Sequence, residues 1–248
     1  MGGAMNAPSR FRPAWLVGVL VVVVLAVIAA VVWLPGRGAA DTSGPGNTLL
    51  TSTAEEIAAA RTQLDQLAVV ARPRYSGDYR RDAFGDAWTD TDGNGCNQRD
   101  DVLLRDVVTA EPYRVGRQGR CDHDVLAGTW IDPYTGESIT LTDAKQGAQA
   151  ERVQIDHIVA LSVAWRYGAD AWTDARRLAF ANALRELVAA GGASNQSKGG
   201  SDASEWQPVH AARCGYAVRY TIVKAAYALP TDATEKRALQ DMLATCPS

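Results

Sequence analysis

The stretch VQIDHIVAL, Val153 to Leu161, decides which fold we expect. Apolar β-branched residues alternate along its first half, which predicts a β-strand. A regular strand would deliver Asp156 and His157 to its end on opposite faces. A carboxylate can ligate a cation, and a neutral imidazole can take a proton near neutral pH. For the dipeptide alone, a buried histidine beside a surface aspartate is the simpler explanation.

A second segment about forty residues downstream changes that balance. Residues 186–190 can form a short returning strand, Gly191-Gly192 a turn, and Ala193 onward a helix. Asn195 and Lys198 would then lie three residues apart on one face of that helix. Strand, turn, strand and helix is the order of elements in a ββα-metal finger.

Several short motifs occur in an order that a known family shares. They are FGDAW at Phe84 to Trp88, NGC at Asn94 to Cys96, DPYTG at Asp132 to Gly136, QIDHIVALS at Gln154 to Ser162, FAN at Phe180 to Asn182, NQSKG at Asn195 to Gly199 and W-x-P at Trp206 to Pro208. With them the chain resembles the HNH endonuclease family from about Tyr79 to Tyr227. It is most similar to the exported branch related to the carboxy-terminal domain of GmrSD-type restriction enzymes.

The resemblance implies a role for each matching side chain. Asp156 and Asn195 correspond to metal ligands and His157 to the general base. Lys198 and Arg99 are candidates for phosphate contact, with a solvated helix lysine and a structural salt bridge as the alternatives. Carboxylate and amide oxygens suit one hard divalent cation, Mg²⁺ above all, with Mn²⁺ or a similar ion also acceptable.

The chain departs from the family pattern at two positions. Glu186 stands where an asparagine usually braces the loop that holds the histidine, so Glu186 either braces it through its own oxygens or weakens the site. His210 stands where an asparagine follows the Trp-x-Pro motif. His210 is a candidate metal ligand or a group that supports the metal ligands, and a surface or capping histidine is the alternative.

The expected fold class is α+β, with a ββα-metal (HNH) finger embedded in a mostly helical domain after a single transmembrane helix. The expected function is metal-dependent endonucleolytic hydrolysis of nucleic acid, with DNA as the main expected substrate and RNA as a second one. A catalytically degenerate HNH-fold binding module is the alternative. No protein partner is inferred.

The amino end predicts a membrane anchor. Residues 14–34 run about twenty residues without a charge, enough to cross a bilayer as a helix. Arginines precede this segment, which places residues 1–13 in the cytoplasm and the rest outside. A flexible linker at 35–52, a helix or stalk at 53–72 and the nuclease-like domain at 73–248 complete the expected organisation. A cleaved signal peptide, which would give a secreted protein, is the alternative.

Charge and cysteine content agree with an exported protein that binds its substrate locally. The first 40 residues hold three of the 25 basic residues and no acidic one, so the remainder carries 22 basic against 28 acidic residues. An acidic body does not bind nucleic acid tightly through long-range charge. Four cysteines without C-x-x-C spacing favour two disulfides over zinc, and short loops favour pairing Cys96 with Cys121 and Cys214 with Cys246 among three connectivities.

Further elements follow from local patterns. Thr53 to Glu56 matches a helix capping box. Helices are also predicted at Gln98 to Val107, Asp174 to Asn182, Arg213 to Ala228 and Thr231 to Ala244, and a hairpin at Trp130 to Leu141. An EF-hand-like spacing of Asp90, Asp92, Asn94 and Asp101 leaves open a calcium-stabilised structural ectodomain, with a polar turn as the simpler interpretation.

Overall fold

The computed structural model describes Met1, residues 50–73 and residues 77–247. The predicted transmembrane segment at 14–34, the rest of the predicted cytoplasmic terminus and most of the predicted linker lie outside the described residues. None of the helices that the structure does describe combines the length and apolar character needed to cross a bilayer.

The described residues form a mixed α+β fold, as the sequence predicts. The α-helices are α1 (Ala54–Gln66), α2 (Gln98–Asp106), α3 (Gly147–Ala150), α4 (Leu161–Arg166), α5 (Asp174–Ala181), α6 (Gly192–Lys198), α7 (Arg213–Ala226) and α8 (Ala233–Leu243). The strands are β1 (Val69–Val70), β2 (Arg114–Gln118), β3 (Cys121–Ile131), β4 (Ser138–Leu141), β5 (Val153–His157), β6 (Leu187–Gly191) and β7 (Thr231–Asp232). Short 3₁₀ helices lie at Arg81–Phe84, Ala169–Ala171 and His210–Ala212.

Strands β5 and β6 form an antiparallel pair that runs directly into α6. The register pairs Asp156 with Val188 and His157 with Leu187. The predicted turn at Gly191-Gly192 is wrong, because β6 continues through Gly191 and α6 begins at Gly192. A Cβ on Gly192 would lie 2.2 Å from the carbonyl oxygen of Glu151, so only glycine allows this tight passage.

A three-stranded antiparallel sheet with the order β2-β3-β4 lies beside this unit. Its β3–β4 connection confirms the predicted hairpin, whose turn is closed by the hydrogen bond from the Gly136 N–H to the Asp132 carbonyl at 2.8 Å. The pairing of β2 with β3 was not predicted. Its arginine-rich sequence lacks the alternation that marks a half-buried strand.

Helix α1 packs on the body of the protein. Its capping box is present, with Thr53 and Glu56 each accepting the other's backbone N–H. Ile57, Ala60 and Leu64 are buried in the main core. The helix ends at Gln66, and the chain then enters β1, which pairs in parallel with β7 near the carboxyl end.

Two apolar clusters meet at the β5–β6 pair. Val188 and Ala190 belong to the larger cluster, whereas Leu187 and Ala189 belong to the smaller one. Because side chains alternate along a strand, the pair is covered on both faces. This burial explains why the end of β5 holds its two polar side chains away from bulk water.

Both predicted disulfides are present. Cys96 bonds to Cys121 and Cys214 bonds to Cys246, and there are no free cysteines among the described residues. The first bond joins the start of α2 to the start of β3, and the second joins α7 to the carboxyl end. Disulfides of this kind fit an oxidising compartment.

Candidate active site at the end of strand β5

Strand β5 places Asp156 and His157 on opposite sides, as its alternation predicts. The Asp156 carboxylate faces the DPYTG turn and α6, whereas the His157 ring reaches the end of α5. Both side chains are buried, at 6% and 7% exposure.

Three groups hold the Asp156 carboxylate. The Tyr134 hydroxyl donates to Oδ2 at 2.5 Å. The Lys198 ammonium lies 3.2 Å from Oδ1 and 3.0 Å from Oδ2, and it also donates to the His157 carbonyl at 2.7 Å. Burial, followed by the neighbouring Asp156 charge, raises the pKa of Tyr134 well above its ordinary value, so this hydroxyl stays a donor.

Lys198 does not lie on the solvated face of its helix. Its side chain is fully buried, with 0% exposure, and its ammonium is saturated by Asp156 and the His157 carbonyl. The solvated helix lysine is therefore wrong. In this structure Lys198 neutralises a buried carboxylate, and contact with phosphate stays a prediction.

Asn195 lies one helical turn before Lys198 and faces the same strand. Its Nδ2 donates to the Gln154 Oε1 at 2.8 Å. Gln154 and Asp156 are two residues apart on β5, so they share a face. The structure thus brings Asn195 to Gln154 and Lys198 to Asp156, along one contact between α6 and β5.

The His157 ring has a defined tautomer. Its Nε2 lies 2.9 Å from the Ala181 carbonyl oxygen, which can only accept, so Nε2 carries the hydrogen and Nδ1 keeps its lone pair. Burial lowers the pKa of His157 to about 3, so the imidazole is neutral at neutral pH. The neutral ring has one basic nitrogen to offer.

His157 lines a surface pocket together with the 3₁₀ helix at Arg81–Phe84, the loop after it, the start of α4 and the end of α5. Arg81, Asp86, Trp88 and Asn182 contribute to the lining. Trp88 has a φ of 61°, a left-handed conformation that a bulky residue rarely adopts. Asp156 and Asn195 do not line this pocket, so the structure sets the two halves of the predicted site on either side of β5.

Comparison with known proteins identifies the family. Residues 97–242, more than half of the chain, match the family described as GmrSD restriction endonucleases, C-terminal domain. The chain belongs to this family. An uncharacterized secreted protein of Arthroderma benhamiae is 34% identical over 226 residues, which cover 90% of this chain and 98% of the relative. No solved structure gives a significant match.

Glu186 and His210, where the chain departs from the pattern of GmrSD-type domains, lie in different environments. Glu186 is fully buried, and its two oxygens accept from the Val159 N–H at 3.1 and 3.3 Å. Burial raises the pKa of Glu186 well above its ordinary value. Glu186 thus holds the backbone two residues after His157, which is the bracing geometry expected of the missing asparagine. His210 is exposed at the start of its 3₁₀ helix.

Arg99 lies at the opposite end of β5 from the candidate site. Its Nη2 donates to the Val153 carbonyl at 3.2 Å, and burial lowers its pKa. Val153 begins the strand, whereas Asp156 and His157 end it. The contact that the structure shows is with the backbone of β5, and phosphate binding by Arg99 stays a prediction.

The EF-hand-like loop of this GmrSD-type domain forms a hydrogen-bonded polar turn. Asp90 accepts from the backbone N–H groups of Gly93 and Gly95, and Asn94 donates to Asp92 and Asp101. Within the described residues, these carboxylates do not converge as a set of three ligands. Three residues whose ligand atoms do converge are Cys96, Cys121 and His123, and both cysteines are in a disulfide.

The donor chemistry on the α6 side of β5 fits a hard cation. Asp156 supplies a carboxylate, and Asn195 supplies an amide oxygen because its nitrogen is engaged by Gln154. Asp156 and Asn195 have the donor types that suit a divalent ion. In this structure Tyr134 and Lys198 contact the Asp156 oxygens, so an ion would have to displace the Lys198 ammonium.

Sequence reasoning missed Tyr134 and the pocket residues Arg81, Trp88 and Asn182. Tyr134 and Asn182 belong to the DPYTG and FAN motifs, and Trp88 ends FGDAW, so the order of motifs was a usable signal. A motif's position does not tell which side chain turns toward β5, because that depends on contacts between segments far apart in the chain.

Proposed function

We propose that this member of the GmrSD C-terminal domain family is an HNH-type, divalent-metal-dependent endonuclease that hydrolyses phosphodiester bonds in nucleic acid, with DNA as the main substrate. One observation carries the proposal. His157 is a neutral imidazole, fixed by the Ala181 carbonyl so that Nδ1 is its basic atom, and it lines a pocket at the end of β5. Membership of this family supports a nuclease reaction.

His157 would act as the general base. Its Nδ1 would take the proton from a water molecule as that water attacks phosphorus. An anionic phosphate in the pocket would raise the pKa of His157, because the opposite charge stabilises the imidazolium. Glu186 accepts a hydrogen bond from the Val159 N–H, and this bond fixes the backbone just after His157.

Arg81 would contact the phosphate in the pocket. Its side chain is exposed, it lines the pocket with His157, and its positive charge contributes to the lowered pKa of His157. Asp156 and Asn195 would hold the divalent ion on the other side of β5. An ion bound there would supply Lewis-acid stabilisation to a phosphate that spans the end of the strand and reaches His157. Tyr134 and Lys198 hold the Asp156 carboxylate in its orientation.

We further propose that the protein acts outside the cytoplasm. Its two disulfides suit an oxidising compartment, and the Arthroderma benhamiae relative is described as secreted. Attachment through residues 14–34 remains part of this proposal, with secretion after cleavage as its alternative.

A plasmid-nicking assay tests the function. Purified protein should convert supercoiled plasmid to open circles with Mg²⁺ or Mn²⁺ and should not do so in a chelator. Asp156→Asn and Asn195→Ala should each weaken Mn²⁺ binding measured by calorimetry, whereas Arg237→Gln on the exposed side of α8 should not. Absence of metal-dependent nicking by folded protein would leave the degenerate binding module as the better account.

A further inference from the structure

The β2–β3 hairpin carries the most basic exposed segment of the described chain. We call Tyr113–Arg120 the basic hairpin. It contains Arg114, Arg117 and Arg120 and no acidic residue. Every residue from 111 to 120 is exposed except the half-buried Gly116.

Packing does not explain this composition. Within the described residues, strand β2 is an edge strand that pairs with β3 alone, and both of its faces are open to solvent. Tyr113 and Val115 remain 40% and 44% exposed. A strand that contributes so little to a core could carry almost any polar sequence, so three arginines next to an exposed aromatic ring require another reason.

The arginine charges are only weakly compensated. Arg114 donates to a backbone carbonyl, that of Thr142, at 3.2 Å. Arg120 is 87% exposed and lies 3.9 Å from Asp90, a separation at which an exposed ion pair contributes little. Near Arg117, the Asp122 carboxylate is engaged by His123 at 2.8 Å. The guanidinium groups thus remain able to bind a further anion.

The hairpin is fixed to the loop that lines the His157 pocket. Gln118 pairs with Cys121, which leaves Gly119 and Arg120 as the turn. The Cys96–Cys121 disulfide and the Arg120–Asp90 contact hold this turn against residues 90–96. Trp88, two residues before Asp90, lines the pocket. One covalently restrained segment therefore connects the basic hairpin with the candidate active site.

We propose that the basic hairpin is the nucleic-acid docking surface of the enzyme and binds the phosphate backbone beside the His157 pocket. The inference rests on the proposed nuclease function. Guanidinium groups bind phosphate bidentately, and Tyr113 offers a ring on which a base can stack. In a body that is acidic overall, the contact must be local, and the basic hairpin provides the local positive charge.

The alternative reason for charged side chains on an edge strand is protection against strand pairing with another molecule. That reason predicts aggregation when the arginines are removed and no specific change in nucleic-acid binding. The two explanations therefore differ in a measurable quantity, the salt dependence of oligonucleotide binding.

The experiment measures binding by fluorescence anisotropy in the His157→Ala background, so that cleavage does not interfere. The probes are a labelled single-stranded DNA oligonucleotide and its duplex over a series of NaCl concentrations. The test variant adds Arg114→Gln, Arg117→Gln and Arg120→Gln. A charge-matched control adds Arg61→Gln, Lys236→Gln and Arg237→Gln, which lie on α1 and α8.

The test variant should bind at least about tenfold more weakly at low salt. The slope of log K against log salt should fall by about 0.7 per lost phosphate contact on the single strand, or about 0.9 on the duplex. The control should keep the parent slope. Equal slopes in the two variants would overturn the inference, as would aggregation of the test variant without a change in slope. Parent binding to phosphatidylserine vesicles but not to oligonucleotides would overturn it as well.

The outcomes separate this inference from the proposed function. Wild-type protein that nicks plasmid while the test variant binds DNA like the control would refute the docking surface and leave the nuclease. If the wild-type protein does not nick plasmid, but replacing the three arginines abolishes oligonucleotide binding, the nuclease is refuted and a nucleic-acid-binding hairpin remains.

Discussion

Replacing Lys198 with methionine should destabilise the protein strongly. The ammonium has no exposure, lies 3.0 and 3.2 Å from the Asp156 oxygens and donates to the His157 carbonyl at 2.7 Å. Methionine fills similar space but leaves the carboxylate without a buried cation. Removing one partner of a buried pair costs about 3–5 kcal/mol. The free energy of unfolding of Lys198→Met should fall by that amount.

Urea denaturation in metal-free buffer measures this loss, with the disulfides intact so that the two states are well defined. Lys236→Met is the matched control, because Lys236 is a half-buried helix lysine that donates to the Asp65 carbonyl. The control should lose less than about 1 kcal/mol. The double variant Lys198→Met/Asp156→Asn should recover part of the loss, since no uncompensated charge remains. A loss below about 1 kcal/mol for Lys198→Met would refute the buried ion pair.

Three further predictions concern other parts of the molecule. Replacing both cysteines of the Cys214–Cys246 disulfide with serine opens a connection with a sequence separation of 32, and urea denaturation should show a loss of about 3–4 kcal/mol. A loss of unfolding free energy below about 1 kcal/mol would contradict a stabilising role for this disulfide. Partial burial lowers the pKa of His123, but hydrogen bonds to two aspartates outweigh this effect and raise the pKa. The stability that protonated His123 contributes is therefore complete at low pH and is lost as pH rises through the folded pKa. The difference in unfolding free energy between wild type and His123→Gln should therefore shrink as pH rises above about 6.5, the ordinary pKa of histidine, and a constant difference would contradict this. Glu186→Ala leaves the buried Val159 N–H without its acceptor, which should cost about 1–3 kcal/mol and reduce nicking, whereas Glu186→Gln keeps an acceptor and should retain more of both. Equal nicking by the alanine and glutamine variants would remove the bracing role.

Local patterns were sufficient for much of the fold. The Thr53–Glu56 capping box starts α1, and alternation identifies β5 with Asp156 and His157 on opposite faces. Short sequence separation also favoured the two disulfides that the structure contains. Each of these features depends on residues close in the chain, and local sequence determines them directly.

Features that depend on distant contacts were not predicted. The β1–β7 pairing joins residues about 160 positions apart. Each of these strands is two residues long, which is too short for an alternation pattern to predict it. The pattern of its own helix predicted only which face Lys198 occupies. Its burial depends on its contact with Asp156 on β5, which is distant in the sequence. Tyr134 reaches the same carboxylate from a turn that local sequence identifies only as a turn. The candidate site is thus predictable in its motifs but not in its contacts.

The most direct test of the central claim is the nicking rate of purified His157→Ala compared with wild type, in saturating Mg²⁺ or Mn²⁺, with folding of both proteins checked by circular dichroism. If His157 is the general base of a nuclease, the folded variant should lose about 10²-fold or more of the rate. Folded His157→Ala that nicks plasmid at the wild-type rate would contradict the account.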